Sequence, residues 1–331
     1  ACVDMTWLSE LVEQHSKLES PLSFWWWAGM ASISAVVKDR IYLDRGAYLL
    51  YPNIYVMFHA ESGLKKGPPV NMAKQLVKYV GNTTVISGRA SIQGILKKLG
   101  TAETRPGQKL DLSSSTAFIC SSELSAAIVD DPVATKILTD LYDRHYNAEE
   151  WESLLKGEQF NLQNPTVTML AATNEAMSED FLSNHAVKGG YLARTFVIHE
   201  SSRNTLNSLI LPMENPPDYK TASGYLKDLA KLKGPFRPLG SLTQGDLYLY
   251  PKTSNGITGY YCEAGLRYDD WYEQFWKDVD EQQVVDGTGT INRFGDSVLK
   301  VAMLLSLAEG TDMIISTQHI EDAIAMCEKL V

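Results

Sequence analysis

The sequence predicts an α/β protein, a sheet covered by helices on both faces, and three observations predict it. Short apolar or β-branched runs recur at 54–58, 85–87, 116–120, 165–172 and 195–199, each followed or preceded by a stretch of helical periodicity. Those runs are apolar at consecutive positions, as strands buried on both faces require. A chain of 331 residues with 44% hydrophobic content can also bury a large core, in one large domain or two smaller ones.

The first part of the chain is helical. Trp7, Leu8, Leu11, Val12 and Leu18 fall near helical spacing with Thr6 as the cap, and Ser20-Pro21 opens a second helix that reaches Val37. Trp25, Trp26 and Trp27 are adjacent and so point in different directions on that helix, which suits core packing better than a base-stacking platform. Residues 41–43 and 48–50, around Asp44-Arg45-Gly46, read as a hairpin leading into the first long strand.

The strand at 54–58 is followed by a helix whose apolar face is Met72, Leu76, Val77 and Val80. Next come the run at 85–87, a short helix over 91–99, and a polar tract at 100–114, rich in Gly, Pro, Thr and Ser, expected as a mobile loop. After the strand at 116–120, a helix over 132–144 carries Ile137, Leu138, Leu141 and Tyr142 on one face. Residues 149–162 read as a hairpin with Lys156-Gly157 at its tip. The strand at 165–172 ends at Thr173-Asn174, 181–191 read as helix and glycine turn, and Ala193-Arg194 precede the last strand.

Residues 201–217 hold Ser, Asn and three prolines and mark a boundary. The expected organisation is therefore a helical and hairpin segment at 1–50, a sheet domain at 51–200, a linker at 201–217, and a mainly helical domain at 218–331. In that last part helices are expected over 219–232, 268–279 and 293–309, with a final one capped by Thr317; 234–261 is turn-rich. No internal repeat or low-complexity tract interrupts this order.

Composition narrows the function classes. A net charge of −10 argues against a uniformly basic nucleic-acid binder, though it leaves room for a local basic groove. No apolar run approaches the roughly 20 residues needed to span a bilayer, and no basic n-region followed by an apolar stretch opens the sequence. Cys2, Cys120, Cys262 and Cys327 have neither metal spacing nor disulfide density, which fits a reducing cytosol and predicts a cytoplasmic protein. The six histidines read as isolated surface or packing residues, so no His- or Cys-based catalytic arrangement is expected. The first residue is not Met, and the chain is expected to be a piece of something longer.

The stretch that could carry chemistry is Ala60-Glu61-Ser62-Gly63-Leu64-Lys65-Lys66-Gly67, which lies over the phosphate-loop pattern G-x-x-x-x-G-K-[ST] with Lys66 in the lysine position. Backbone N–H groups at a helix N-terminus plus one ammonium would face a polyphosphate. Ala60 stands for the first glycine, Lys65 for the second, and Gly67 for the magnesium-binding hydroxyl; Lys65 competes with Lys66 for the cationic role. The alternative is an ordinary strand-to-helix turn with exposed lysines. Further on, Glu123 ends an apolar strand where it could polarise a water, Ser122 precedes it, Asn174 could hydrogen-bond that water, and Arg194 lies on the flank of the sheet. Each also has a plainer reading: a helix N-terminal carboxylate, a turn former, a solvated charge.

The stretches FWWWAGMASISAVVKDRIYLDRG, LYPNIYVMFHAESGLKKG, FICSSELSAAI, TMLAATN and GGYLARTFVIH resemble the P-loop ATPase domain of phage and mobile-element primase-helicase-associated proteins, related to AAA+ ATPases and superfamily-3 helicases. The likeness covers roughly 7–199, and 293–330 more loosely. It implies a P-loop NTPase (AAA+/RecA-like) sheet with a helical C-terminal lid, and an ATP-hydrolysing, helicase-like motor of DNA replication that forms a ring. By residue it implies Lys66 as the Walker A lysine within a nucleotide-binding loop from Ala60 to Gly67, Glu123 as the Walker B glutamate, Asn174 as sensor 1, Arg194 as an arginine finger acting on a neighbouring subunit, and Arg293 as sensor 2. Mg2+ would be held by phosphates and water with Ser121, Ser122 or Glu123. Lys156 would bring one cation per subunit to DNA in a central pore, and a primase domain is an expected partner. Two rival readings stand beside this one: a catalytically weak ATPase fold acting in DNA binding or replication assembly, and an α/β enzyme on a small substrate.

Overall fold

The computed structural model describes residues 6–88, 91–100, 115–122, 131–143, 150–155, 158–173, 190–207, 216–244, 249–254 and 256–330. In chain order these form α1 (Trp7–Gln14), α2 (Leu22–Val37), β1 (Ile41–Asp44), β2 (Leu49–Leu50), β3 (Tyr55–His59), α3 (Gly67–Val80), β4 (Thr84–Ile86), α4 (Ile92–Gly100), β5 (Thr116–Ser121), α5 (Pro132–Tyr142), β6 (Glu150–Leu155), β7 (Glu158–Gln163), β8 (Thr166–Thr173) and β9 (Thr195–His199). Then follow α6 (Tyr219–Leu229), β10 (Gly234–Pro235), β11 (Gly240–Ser241), β12 (Tyr250–Ser254), β13 (Ile257–Tyr261), α7 (Glu263–Glu281), α8 (Thr290–Glu309) and α9 (Thr317–Glu328).

The protein is α/β, built on a five-stranded sheet of order β4-β5-β8-β3-β9 in which every pairing is parallel. Alternation along the strands divides their side chains between two faces. Val56, Phe58, Phe118, Leu170, Phe196 and Ile198 join α2, α3 and α8 in one core. Tyr55, Met57, Ile119, Val167 and Met169 join α4 and α5 in a second. The connection from β3 out to β4 carries α3 on the first face, whereas the returns from β4 to β5 and from β5 to β8 carry α4 and α5 on the other. Opposite directions on opposite faces are what right-handed crossovers demand.

The tryptophans of α2 pack as their spacing predicts. Phe24 stacks on Phe58 at 4.3 Å, Trp25 on the His15 ring at 4.0 Å, and Trp27 meets Phe196 at 5.0 Å. Gly29 lets α1 lie close, since a Cβ there would stand 2.4 Å from Leu8 Cδ1.

The core does not break at 201–217. Leu226 and Leu229 of α6, Val298, Leu299, Ala302 and Leu305 of α8, and Ile320, Ala323, Ile324 and Cys327 of α9 belong to the same apolar cluster as α1, α2, α3 and one face of the sheet. β10 also runs parallel beside β1, so a late segment completes an early hairpin.

Some boundaries differ from expectation. Ser316, not Thr317, caps α9: its hydroxyl accepts from the His319 N–H while His319 Nδ1 accepts from the Ser316 N–H, a capping box closed by an imidazole instead of Glu or Gln. α7 starts at Glu263, five residues before the expected Tyr268, because Cys262 Sγ accepts from Gly265 N. Part of the turn-rich stretch is a small antiparallel sheet, β11-β13-β12. The expected loop at 101–114 and helix at 181–189 lie outside the described residues. Among the described residues no helix is long and apolar enough to cross a membrane.

Candidate functional site

β3 is an inner strand, flanked by β8 and β9, and the chain leaves its carboxyl end into the loop at 60–66 before α3 begins. Crevices outside the carboxyl ends of parallel strands are where open α/β sheets take ligands. Ala60 and Leu64 are buried and anchor the loop, and Leu64 N–H donates to Glu61 O at 3.4 Å across a turn whose third residue, Gly63, has φ +91°. A positive φ there is free for glycine alone. Lys65, which replaces the second glycine of the pattern, has φ +52° and so keeps the left-handed conformation without the residue that makes it cheap.

The geometry separates the two lysines. Lys66 Nζ folds into the loop and donates to Ala60 O at 2.5 Å and Glu61 O at 2.8 Å. Lys65 turns away: its carbonyl accepts from Ser20 Oγ at 2.7 Å, and its ammonium lies 4.0 Å from Glu19. Lys66 is thus the cation of the loop, and Glu19 with Arg203 and Asn204 forms the polar wall behind it.

α3 starts unusually for an anion cradle. Gly67 is followed by Pro68 and Pro69 in the first turn, so two of the N–H groups that a helix N-terminus normally presents do not exist. The cleft beside this turn, about 310 Å³, is lined by Gly67, Asn71 and Lys74 of α3 and by Ser121 and Ser122 at the end of β5. Its cysteine, Cys120, is inert: burial pushes the thiol up to about 12, and Sγ donates to Val70 O at 3.3 Å. For Mg2+, the described residues of the cleft offer neutral hydroxyls and no carboxylate, and no group of three or more potential metal ligands occurs among the described residues. Mg2+ is commonly held through one or two carboxylates together with waters and substrate phosphates, and the described residues here supply only neutral oxygens toward such a set.

Two histidines read as isolated are in fact together. His59 and His199 end adjacent strands in register, and their Nδ1 atoms are 2.8 Å apart. Of the others, His15 is buried between Leu11 O and the Tyr219 hydroxyl, where desolvation lowers its pKa, and His319 pairs with Glu309.

Arg194 and Arg293 stand at the opposite end of the sheet. Arg194 immediately precedes β9, whose first residue is level with Tyr55, so roughly 16 Å of strand separates it from the loop after His59. Its side chain is only 9% exposed and its guanidinium is engaged: Nε donates to Asp143 Oδ2 at 2.9 Å, Nη2 binds the same oxygen, and Nη1 donates to Gly190 O at 2.7 Å. Arg293 reaches Asp143 from α8 at 3.3 Å. The structure therefore unites Arg194 with Arg293, and keeps both away from Lys66 of the same chain; a sensor 2 role for Arg293 at its own subunit's loop is not compatible with that placement.

The same corner holds a group the sequence reading missed. Lys300, in the apolar run of α8, is 5% exposed, donates to Asn53 O and Oδ1 at 2.9 Å each, and lies 3.8 Å from the Tyr142 ring centre. Desolvation lowers its pKa to about 7, against the opposing pull of Asp143 and Asp296. A pocket of about 270 Å³ opens here between Tyr48, Arg293, Asp296 and Lys300. A lysine within the otherwise apolar run from Val298 to Leu305 was the available signal.

Glu123, Asn174 and Lys156 lie outside the described residues; the strands on either side of the Lys156 tip pair from Leu155 and Glu158 to Glu150 and Gln163. No protein-family model matches the chain, and no curated protein matches it.

Proposed function

We propose that the chain is an ATP-binding domain of the P-loop class, AAA+-like, which works on DNA in the replication of a phage or mobile element and assembles as a ring. The observation that carries this reading is the loop at 60–66: it leaves the carboxyl end of an inner parallel strand, keeps a left-handed residue where the pattern has its second glycine, and folds Lys66 into its mouth. A triphosphate would take over the Lys66 ammonium from the two carbonyls it now serves, with Gly67 N–H and the Lys74 ammonium beside it.

The ring is supported by the separation of Arg194 from the loop. A residue at the amino end of one sheet can meet a loop at the carboxyl end of another in a head-to-tail arrangement, the kind of interface that closes into rings. Arg194 would act as the finger across that interface, Glu123 and Asn174 would position the attacking water, and Lys156 would contact the DNA backbone. A finger of this kind is worth about 10³–10⁵ in rate in phosphoryl transfer, which gives the Asp143 clasp a large lever.

A second reading, nucleotide binding without appreciable turnover in a replication-assembly module, is favoured by Pro68 and Pro69 and by the absence of a hydroxyl at Gly67. The test is ATP binding by calorimetry and phosphate release with and without single-stranded DNA. Lys66→Ala is expected to abolish binding and leave the fold intact; equal binding by parent and variant overturns the P-loop reading. Release stimulated by DNA supports the motor, and binding with no release supports the module.

A further inference from the structure

β9 is the last strand of its sheet, and the register tells which of its backbone groups are committed. Glu200 N–H donates to His59 O, and Met169 N–H on the other side of β3 donates to Ile54 O. Parallel pairing alternates, so the even residues of β9, Phe196 and Ile198, exchange their bonds with β3, while the N–H and C=O of Val197 and His199 point away from the sheet. Among the described residues no backbone partner meets those outward groups. An edge of this kind is a template for another strand.

The edge opens into a groove of about 950 Å³, which Val197, Ile198 and His199 line directly. Its apolar wall is made by Leu8, Trp26 and Trp27 from the amino-terminal helices and by Leu305, Met326 and Leu330 from the carboxyl-terminal ones. Its charges are mostly negative: Glu200, Glu309 and Asp322 against Lys329. Glu309 is largely exposed beyond its contact with His319, and Asp322 is exposed on α9.

We propose that this edge and groove are a docking site for an extended segment of a partner protein, apolar at alternate positions and carrying lysine or arginine between them. The outward N–H and C=O of Val197 and His199 would pair with its backbone, its apolar side chains would lie on Trp26, Trp27 and Met326, and its cations would face Glu200, Glu309 and Asp322. A helix would leave the outward backbone groups of β9 unused, and an acidic segment would be repelled by the rim; both the hydrogen-bonding edge and the charge select the extended basic ligand. The site stands apart from the nucleotide reading, because it involves neither Lys66 nor Arg194.

The probe is a capped, fluorescein-labelled peptide of alternating lysine and valine, seven residues long, titrated by anisotropy against the whole chain. Saturable binding is expected, with slowed amide exchange at Val197 and His199 and no change at Phe196 and Ile198, which β3 already protects. Methylating the peptide's backbone nitrogens on one edge is expected to weaken binding about tenfold or more, the loss of one or two hydrogen bonds. The double charge reversal Glu309→Lys with Asp322→Lys should weaken it about tenfold as well, and a glutamate-valine peptide should bind the parent poorly but this variant better. The proposal is overturned if no saturable binding occurs, if methylated and unmethylated peptides bind alike, if peptides of both charges bind the parent alike, or if protection appears elsewhere and Val197 exchanges as before.

Discussion

Lys300→Met should stabilise the protein at neutral pH and remove much of the pH dependence of its stability in mildly alkaline solution. In the unfolded chain Lys300 holds its proton up to its ordinary 10.5, but in the fold only to about 7, because burial penalises the ammonium more than Asp143 and Asp296 favour it. Between those values the unfolded state binds more protons, so stability rises with pH by about 1.4 kcal/mol per pH unit, to a ceiling of roughly 5 kcal/mol across the interval. Below about 7 both states are protonated and the full penalty remains. Methionine carries no charge but forfeits the two hydrogen bonds to Asn53, which costs roughly 3 kcal/mol when a carbonyl and an amide oxygen are left behind. The variant should therefore be about 2 kcal/mol more stable at pH 7, less stable at pH 10, and equal to the parent between pH 8 and 9. Urea denaturation of both proteins, side by side from pH 6.5 to 10, measures this directly, because every other titrating group cancels in the difference. Parallel curves would refute the reasoning, since they would mean that Lys300 takes up no extra proton on unfolding.

Lys65→Gly should stabilise the fold by up to about 1 kcal/mol in urea denaturation by relieving the left-handed φ of +52°, offset in part by the greater freedom of glycine in the unfolded chain. Pro68→Ala with Pro69→Ala should restore two N–H groups at the start of α3 and tighten triphosphate binding by several fold in calorimetry; unchanged or weaker binding would show that the ligand does not lie against this turn. Gly265→Ala should cost about 2–4 kcal/mol, read as a lower urea midpoint, because its Cβ would stand 2.1 Å from the backbone oxygen of Leu239 and the α7 start would have to move.

The sheet was legible because strands buried on both faces write themselves as unbroken apolar runs: 54–58 and 195–199 match β3 and β9 within one residue. Strand order was not legible, because the sequence around β3 says nothing about β8 and β9 arriving on either side of it more than 100 residues later. The same limit hid the site's most specific contacts. His59 meets His199 across 140 positions, and Arg194 meets Asp143 across 51, so neither pair has a local spacing to recognise. The α9 cap was missed for a different reason. Ser316 and Thr317 are both good capping residues, and the residue that decides between them is His319, whose ring does the work usually given to Glu or Gln. Lys66 was readable from a pattern, but only the fold shows its ammonium turned inward while that of Lys65 points to Glu19.

The shared core of the amino- and carboxyl-terminal helices sets the timetable on which this chain can fold during its synthesis. Trp25, Met30 and Ile33 in α2 belong to a cluster that is filled by Val298, Leu299 and Ala302 of α8, and β1 acquires its outer neighbour only with β10. At about 5–20 residues per second, α2 would wait on the order of 10–60 seconds for α8 to be made. During that interval the part of the cluster that α8 completes stays open to water or to whatever binds it first. Long-range closure of this kind is slow and exposes apolar surface to aggregation. A fragment stopped after β9, although it contains every strand of the large sheet, would lack the helix that covers α2; the expected behaviour on expression is association with chaperones rather than a free, folded domain.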